Sequence, residues 1–310
     1  NTGAEAVETA IKAARRWGYF TKGIEINCAE IIVAEGNFHG RTTTIVGFSS
    51  EKEYKKGFGP FADGFIEAEY CSSNCNCSKV CENSIRSIKN AINNNTCAVI
   101  VEPIQGEGGI ITPQSGWLKQ LRELCNENNV LLILDEIQSG LGRTGKLFAF
   151  EHEDIKPDGL ILGKALGGGL LPVSAFLSSK GVMNHFNPGS HGSTFGGNPL
   201  AAKVASKALD LLFEDNLIEN SKVMGAYLKE KLSEMNHAFI KEIRGKGLWI
   251  GVELDQGISA KKICLSLMGE GILAKETHET VIRFAPPLLI KKDEIDWALE
   301  KINKVFQEYK

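Results

Sequence analysis

The chain has 310 residues, 43% of them hydrophobic and 24% charged, with a formal net charge of −3. That length suggests about two domains with ample core, and the charge balance offers no basic field for nucleic acid or anionic lipid. No apolar run approaches a membrane span and no signal-peptide pattern opens the chain, so neither nucleic-acid nor membrane partners are expected.

Asn1-Thr2-Gly3 reads as sequence from the middle of a domain. A cytoplasmic location is expected, with the mitochondrial matrix as the alternative. Thr2 and Glu5 have the Thr-x-x-Glu spacing of a capping box, and Val7, Ile11, Ala14 and Trp17 follow at helical spacing. First-turn N–H groups and the positive end of a helix dipole attract anions, and Gly3 allows close approach. Gly3 and Ala4 are thus candidates for holding a phosphate, although many helices begin Thr-Gly and bind nothing. A strand is expected over 31–35, followed by Asn37-Phe38-His39-Gly40-Arg41. Phe38 there could stack on a flat ring or simply fill the core. A second strand over 98–102 ends in Glu102-Pro103-Ile104-Gln105-Gly106-Glu107, which sets two acids beside glycine. The stretch 117–127 reads as a helix with Leu118, Leu121, Leu124 and Cys125 on one side.

The run Val130-Leu131-Leu132-Ile133-Leu134 stops abruptly at Asp135-Glu136. A short continuous apolar run of this kind predicts a buried parallel strand, and ligand chemistry collects at the carboxyl ends of such strands. Gln138, three residues past Asp135, points to the same place. Lys164 lies in Leu162-Gly163-Lys164-Ala165-Leu166-Gly167-Gly168-Gly169, among small and apolar residues. Such a setting is expected to lower an ammonium pKa and free an amine nucleophile. A lysine that bonds an aldehyde, with an acid that keeps a pyridine nitrogen protonated, is what pyridoxal phosphate requires. The plainer reading is an acid that caps a helix and a lysine that is merely solvated.

Further strands are expected over 159–162 and 173–177, and Gly192-Ser193-Thr194 opens a loop able to bind phosphate. Alternating strands and helices argue for a three-layer α/β domain with a mostly parallel sheet. Beyond Pro199 come helices over 200–213 and 221–235, a strand over 247–254, a helix over 259–268, a strand over 281–284 and a helix over 293–308. That set predicts a smaller α+β domain, with the division at 1–215 and 216–310.

Of eight cysteines, Cys28, Cys97, Cys125 and Cys264 are scattered, mostly in apolar or helical contexts where a thiol acts as a small core residue. Cys71, Cys75, Cys77 and Cys81 cluster in a polar stretch without paired zinc spacing, so no metal is expected. The cluster reads as an insertion whose exposed thiols respond to a dithiol redox protein, two of them forming a labile disulfide. The alternative is a loop with no role.

In their order along the chain these motifs resemble the class III aminotransferases, which are fold-type I pyridoxal-phosphate enzymes. The resemblance rests on Asn1-Thr2-Gly3-Ala4-Glu5-Ala6, Gly36-Asn37-Phe38-His39-Gly40-Arg41-Thr42, Val101-Glu102-Pro103-Ile104-Gln105-Gly106-Glu107 and Asp135-Glu136-Ile137-Gln138. Gly163-Lys164-Ala165-Leu166-Gly167-Gly168-Gly169, Gly192-Ser193-Thr194 and Ile282-Arg283-Phe284-Ala285-Pro286-Pro287-Leu288 complete it, over essentially the whole chain. Among its members the chain looks most like those acting on ornithine.

The resemblance implies a pyridoxal-phosphate large domain with a mostly parallel sheet, a smaller α+β C-terminal domain, and transfer of the δ-amino group of L-ornithine to 2-oxoglutarate. It implies that Lys164 bonds the cofactor and moves the proton, that Asp135 pairs the pyridinium, and that Gln138 bonds the ring hydroxyl. Phe38 would stack on the ring, Gly3 and Ala4 would bind the phosphate, and Thr194 would reach the phosphate of a neighbouring subunit in a homodimer. Arg41 and Arg283 would receive substrate carboxylates, Glu102 would line the site, and Glu107 would pair with Arg283. The family has a further N-terminal segment, without counterpart here, that contributes dimer contacts and aromatic substrate-binding residues. The 71–81 stretch is longer than the corresponding connection in most relatives, and His39 stands where tryptophan is frequent. The rival readings are an enzyme acting on N-acetylornithine or 4-aminobutyrate, or an inactive binding or scaffold protein.

Overall fold

The structure, a computed structural model, describes residues 1–71 and 81–309. These divide into two units, one of Asn1–Pro103, Pro113–Ser139 and Phe150–Leu209, the other of Ile104–Thr112, Gly140–Ala149 and Asp210–Lys310.

The first unit contains α1 (Gly3–Trp17), β1 (Glu30–Ala34), α2 (Thr43–Gly47), α3 (Lys52–Lys55), β2 (Phe65–Ala68), α4 (Glu82–Ala91), β3 (Thr96–Val101) and α5 (Trp117–Glu127). It continues through β4 (Leu131–Asp135), β5 (Gly159–Leu162), β6 (Ala175–Ser178) and α6 (Lys180–Met183) into α7 (Pro199–Glu214). Its sheet runs in the order β2-β1-β3-β4-β5-β6, all parallel except β6, which lies antiparallel to β5. Every residue of β3, β4 and β5 is buried, as their unbroken apolar runs require for strands covered on both faces. From β1 the chain moves outward to β2 and then back to β3 on the other side of β1. The connections leaving β1 and β3 therefore diverge, and a crevice opens beyond the carboxyl ends of these strands.

Helix α1 buries Val7, Ala10, Ile11, Ala14 and Trp17 against the sheet. At its start the Glu5 carboxylate accepts from the Thr2 N–H at 2.6 Å and from the Thr2 hydroxyl at 3.0 Å. Hydrogen bonds from the Asn1 side chain and the Thr2 backbone hold the Glu5 carboxyl down at about 2. The expected capping box of Thr2 and Glu5 is present, and the Thr2 hydroxyl also donates to the Glu5 carboxylate.

The second unit has α8 (Leu217–Glu234), β7 (Ile240–Gly245), β8 (Ile250–Leu254), α9 (Ala260–Gly269), β9 (Lys275–Thr277), β10 (Val281–Phe284) and α10 (Lys292–Gln307). Its sheet is antiparallel in the order β7-β8-β10-β9, with Leu232, Ile263, Ile282 and Phe306 in its core. The fold is thus a mostly parallel α/β sheet with a separate antiparallel α+β unit. The sequence reading misses α4, the short helices α2, α3 and α6, and three strands, and those strands, β2, β7 and β9, are all at sheet edges. Edge strands are short or charged, as with Lys241, Glu242 and Arg244 in β7, and lack the apolar run that marks a central strand.

The cysteine expectations change. Cys71 and Cys81 are joined in a disulfide and are 0% and 2% exposed, so they are neither free nor at the surface. Cys75 and Cys77 lie outside the described residues. Burial pushes the Cys97 and Cys125 thiols up to about 12 and that of Cys264 to about 11, which suits small core residues.

Candidate active site

A cavity of about 170 Å³ in the first unit is lined by Gly3, Ala4, Phe38, His39, Gly40, Glu102, Asp135, Ile137, Gln138 and Lys164. Each side chain arrives from the carboxyl end of a parallel strand or from the start of α1. Phe38 follows β1, Glu102 follows β3, Asp135 ends β4, and Lys164 follows β5. A larger open cleft of about 780 Å³ lies by the start of β5, but it brings no such set together, and its Arg122 is paired with Asp158 at 2.6 Å.

Asp135 is buried and held by two bonds. Its Oδ2 lies 2.7 Å from His39 Nδ1, and its Oδ1 accepts from the Ile137 N–H at 3.0 Å. A carboxylate offers about four lone-pair sites, so the bonds fix its plane and still leave acceptor capacity for a third donor. Burial lowers an imidazole pKa, but the hydrogen bond and charge of Asp135, with the charge of Glu102, outweigh it, and the His39 pKa is raised. His39 Nε2 is buried with no hydrogen-bond partner among the described residues. This role of His39 escapes sequence reasoning, because the two residues are 96 positions apart and neither motif points to the other.

Lys164 Nζ donates to Gln138 Oε1 at 2.5 Å. Lys164 is exposed in the single chain, in contrast to the apolar setting expected, because its neighbours Leu162, Gly163 and Leu166 turn inward and leave it at the cavity mouth. Its φ of 42° lies in the left-handed region, which non-glycine residues seldom adopt and which costs about 1–3 kcal/mol.

Glu102 is buried, and its Oε2 accepts from the Phe38 N–H at 3.0 Å, tying the loops after β1 and β3 together. At the start of α1 the Thr2 N–H is taken by Glu5, while the N–H groups of Gly3 and Ala4 have no acceptor within the helix. A Cβ on Gly3 would come within 2.8 Å of Ile137 Cδ1, and one on Gly40, whose φ is +134°, within 2.8 Å of Ala4 Cβ. Only glycine permits both close approaches.

Four expected residues are not among those lining the cavity. Thr194 is exposed, and its neighbour Ser193 accepts from the Asn1 side chain at 3.2 Å. Arg41 is exposed beside Phe38 and Tyr54. Glu107 and Arg283 belong to the second unit, where Arg283 Nη1 lies 2.7 Å from Glu107 Oε1. Among the described residues no helix is long and apolar enough to cross a membrane, and no group of three or more His, Cys, Asp or Glu could hold a metal ion.

A strand-end carboxylate, a lysine after the next strand and a glycine-opened helix gather around one cavity, and residues 1–306 match the class-III aminotransferases: the chain belongs to that family, and membership implies a pyridoxal-phosphate enzyme. It is 57% identical over 307 residues to ornithine aminotransferase 2 of Staphylococcus aureus, covering 99% of this chain and 74% of that protein. An ornithine aminotransferase structure from Toxoplasma gondii superposes with a TM-score of 0.93 at 42% identity, covering 99% of this chain and 71% of that one. An acetylornithine aminotransferase structure from Elizabethkingia anophelis gives 0.85 at 44% identity, covering 100% and 74%.

Proposed function

We propose that this aminotransferase passes the δ-amino group of L-ornithine to 2-oxoglutarate, giving glutamate 5-semialdehyde and glutamate. The observation that carries the reading is the Arg283–Glu107 pair, 2.7 Å apart. Two substrates must be accepted in turn, one whose reacting end bears an amine and one whose reacting end bears a carboxylate. A bare Arg283 suits the second and repels the first; a carboxylate that neutralises it lets the amine approach. The S. aureus and T. gondii relatives, named for ornithine, support the same choice.

The cavity residues fit pyridoxal phosphate. Asp135 would hold the pyridinium, Gln138 the ring hydroxyl, and Phe38 the ring face. The N–H groups of Gly3 and Ala4, without acceptors within the helix, would take the phosphate. When bound, the cofactor supplies an aldehyde for the migrating amine and a ring that withdraws electrons from the carbon losing its proton. Lys164 would hold the aldehyde at rest; displaced by the incoming amine, its Nζ would be free to move the proton between the amine-bearing carbon of the substrate and the cofactor. Gln138, as acceptor, steers that amine. His39 positions Asp135 instead of touching substrate. Glu102 closes the wall beside Phe38 and fixes its backbone.

Arg41 has no carboxylate partner among the described residues, whereas Arg283 does. Arg41 is therefore assigned the carboxylate that both substrates carry away from their reacting ends, and Arg283 the second carboxylate of 2-oxoglutarate. The working unit is a homodimer in which Thr194 serves the neighbouring subunit's phosphate. The exposed apolar side chains of Leu170, Phe195 and Leu200, at 82%, 72% and 64%, support burial in an interface. The Cys71–Cys81 region is proposed to meet a dithiol redox protein, which has to open the segment locally to reach the buried sulfurs. Turnover with ornithine, N-acetylornithine and 4-aminobutyrate tests the function, and a preference for either of the latter two overturns the ornithine assignment.

A further inference from the structure

The guanidinium carbon of Arg41 lies 3.6 Å from the centroid of the Tyr54 ring and 5.5 Å from that of Phe38. The two rings meet edge-on, with centroids 6.0 Å apart and an interplanar angle of 80°. At 3.6 Å the cation is in van der Waals contact with the Tyr54 face, at the short end of a cation–π contact. Backbone on either side of Arg41 is fixed. Gly40 fits against Ala4, and Thr42 caps α2 while its hydroxyl donates to Glu8 Oε1 on α1 at 2.5 Å. The long side chain of Arg41 has no ion pair among the described residues to hold it, so its direction depends on the rings.

We infer that Tyr54 is a positioning residue that orients Arg41 for the substrate carboxylate. A guanidinium donates hydrogen bonds only in its own plane, so a ring over its face immobilises the group without consuming a donor. An acidic partner would hold Arg41 equally well, but it would occupy the same donors and oppose an anionic ligand. An aromatic ring leaves the charge whole. Tyr54 also touches Phe38, so the ring proposed to cover the cofactor and the cation proposed to bind the substrate share one support. The inference rests on the reading of Arg41 as carboxylate receptor, and the test separates the two.

Tyr54→Leu, Tyr54→Phe and Arg41→Gln are compared in the holoenzyme. Tyr54→Leu is expected to raise KM for both ornithine and 2-oxoglutarate roughly three- to tenfold, with kcat within about twofold. Tyr54→Phe, which keeps the ring, recovers most of that loss. Turnover of 1,4-diaminobutane, which is ornithine without its carboxylate, stays as in the unaltered enzyme. Calorimetric titration with glutarate, which binds without reacting, gives a Kd weakened in Tyr54→Leu to the same extent as KM. If Arg41→Gln raises KM and weakens glutarate while Tyr54→Leu changes neither, the role of Tyr54 is overturned and that of Arg41 stands. If Arg41→Gln leaves both unchanged, the carboxylate assignment fails and the Tyr54 inference fails with it. Equal losses toward ornithine and 1,4-diaminobutane in Tyr54→Leu would show that Tyr54 supports the loop instead of orienting the cation.

Discussion

Arg283 on β10 donates to Glu107 at the tip of a hairpin closed by backbone hydrogen bonds. Gln105 and Ile111 exchange both backbone bonds, and Gly109 O accepts from Arg244 Nε at 2.8 Å. Ile110 packs with Ile104 and Trp249 although its φ is +55°, a conformation rare for a β-branched residue. The glycines beside Glu107 suggest local freedom, and in the structure the hairpin that carries it is closed by these hydrogen bonds. Under the proposed exchange, Arg283 would be released by rotation of the Glu107 side chain, which is 31% exposed. Glu107→Ala is expected to slow the ornithine half-reaction roughly tenfold or more, as a charge-assisted bond of about 1.5–3 kcal/mol implies. The glutamate half-reaction should hold or improve. Single-turnover rates for each half check this, and equal losses in both would assign Glu107 to the fold.

Lys164 combines an exposed amine with a left-handed backbone. Borohydride reduction of the holoenzyme followed by peptide mapping should place the pyridoxyl group on Lys164, and a label elsewhere would displace the whole assignment. Lys164→Gly and Lys164→Ala should both lose transamination. The glycine variant should be more stable than the alanine variant by about 1 kcal/mol, because glycine adopts that conformation without strain. Denaturation of the two cofactor-free variants measures the difference.

The Cys71–Cys81 disulfide closes a loop with a sequence separation of 10, for which chain entropy gives about 3 kcal/mol of stabilisation. A reductant should lower the denaturation midpoint of the unaltered protein. The Cys71→Ser/Cys81→Ser protein should start low and show no further response. Activity followed through the same redox titration tests the proposed regulation, and an identical shift in the double variant would place it on other thiols.

His39 and Asp135 make stability depend on pH. Because the pKa of His39 is raised in the folded protein, its pairing contributes fully below the unfolded value of about 6.5 and is lost as pH rises through the higher folded value. Urea denaturation of the unaltered and His39→Gln proteins from pH 6 to 9 should therefore show a stability difference that shrinks with rising pH. A constant difference would mean that His39 does not titrate in this range.

What the sequence determines by itself is the central frame and its chemistry. The run Val130 to Leu134 can be stable only where both faces are covered, so Asp135 has to emerge at the carboxyl end of a central strand. Val7, Ile11, Ala14 and Trp17 share one helical face and bury it against the sheet. Residues so placed, Gly3, Phe38, Glu102, Asp135, Gln138 and Lys164 among them, line one cavity because parallel strands all end on the same side. Tertiary structure alone decided the rest. The edge strands β2, β7 and β9 have no periodic signal, since half their surroundings are solvent. The choice of Cys71 with Cys81, the contact of His39 with Asp135 and that of Tyr54 with Arg41 depend on which loops the packed sheet brings together. Local sequence constrains backbone conformation and which faces are buried. It carries little information about which loop side chains meet across the sheet, because that follows from the register of the whole fold.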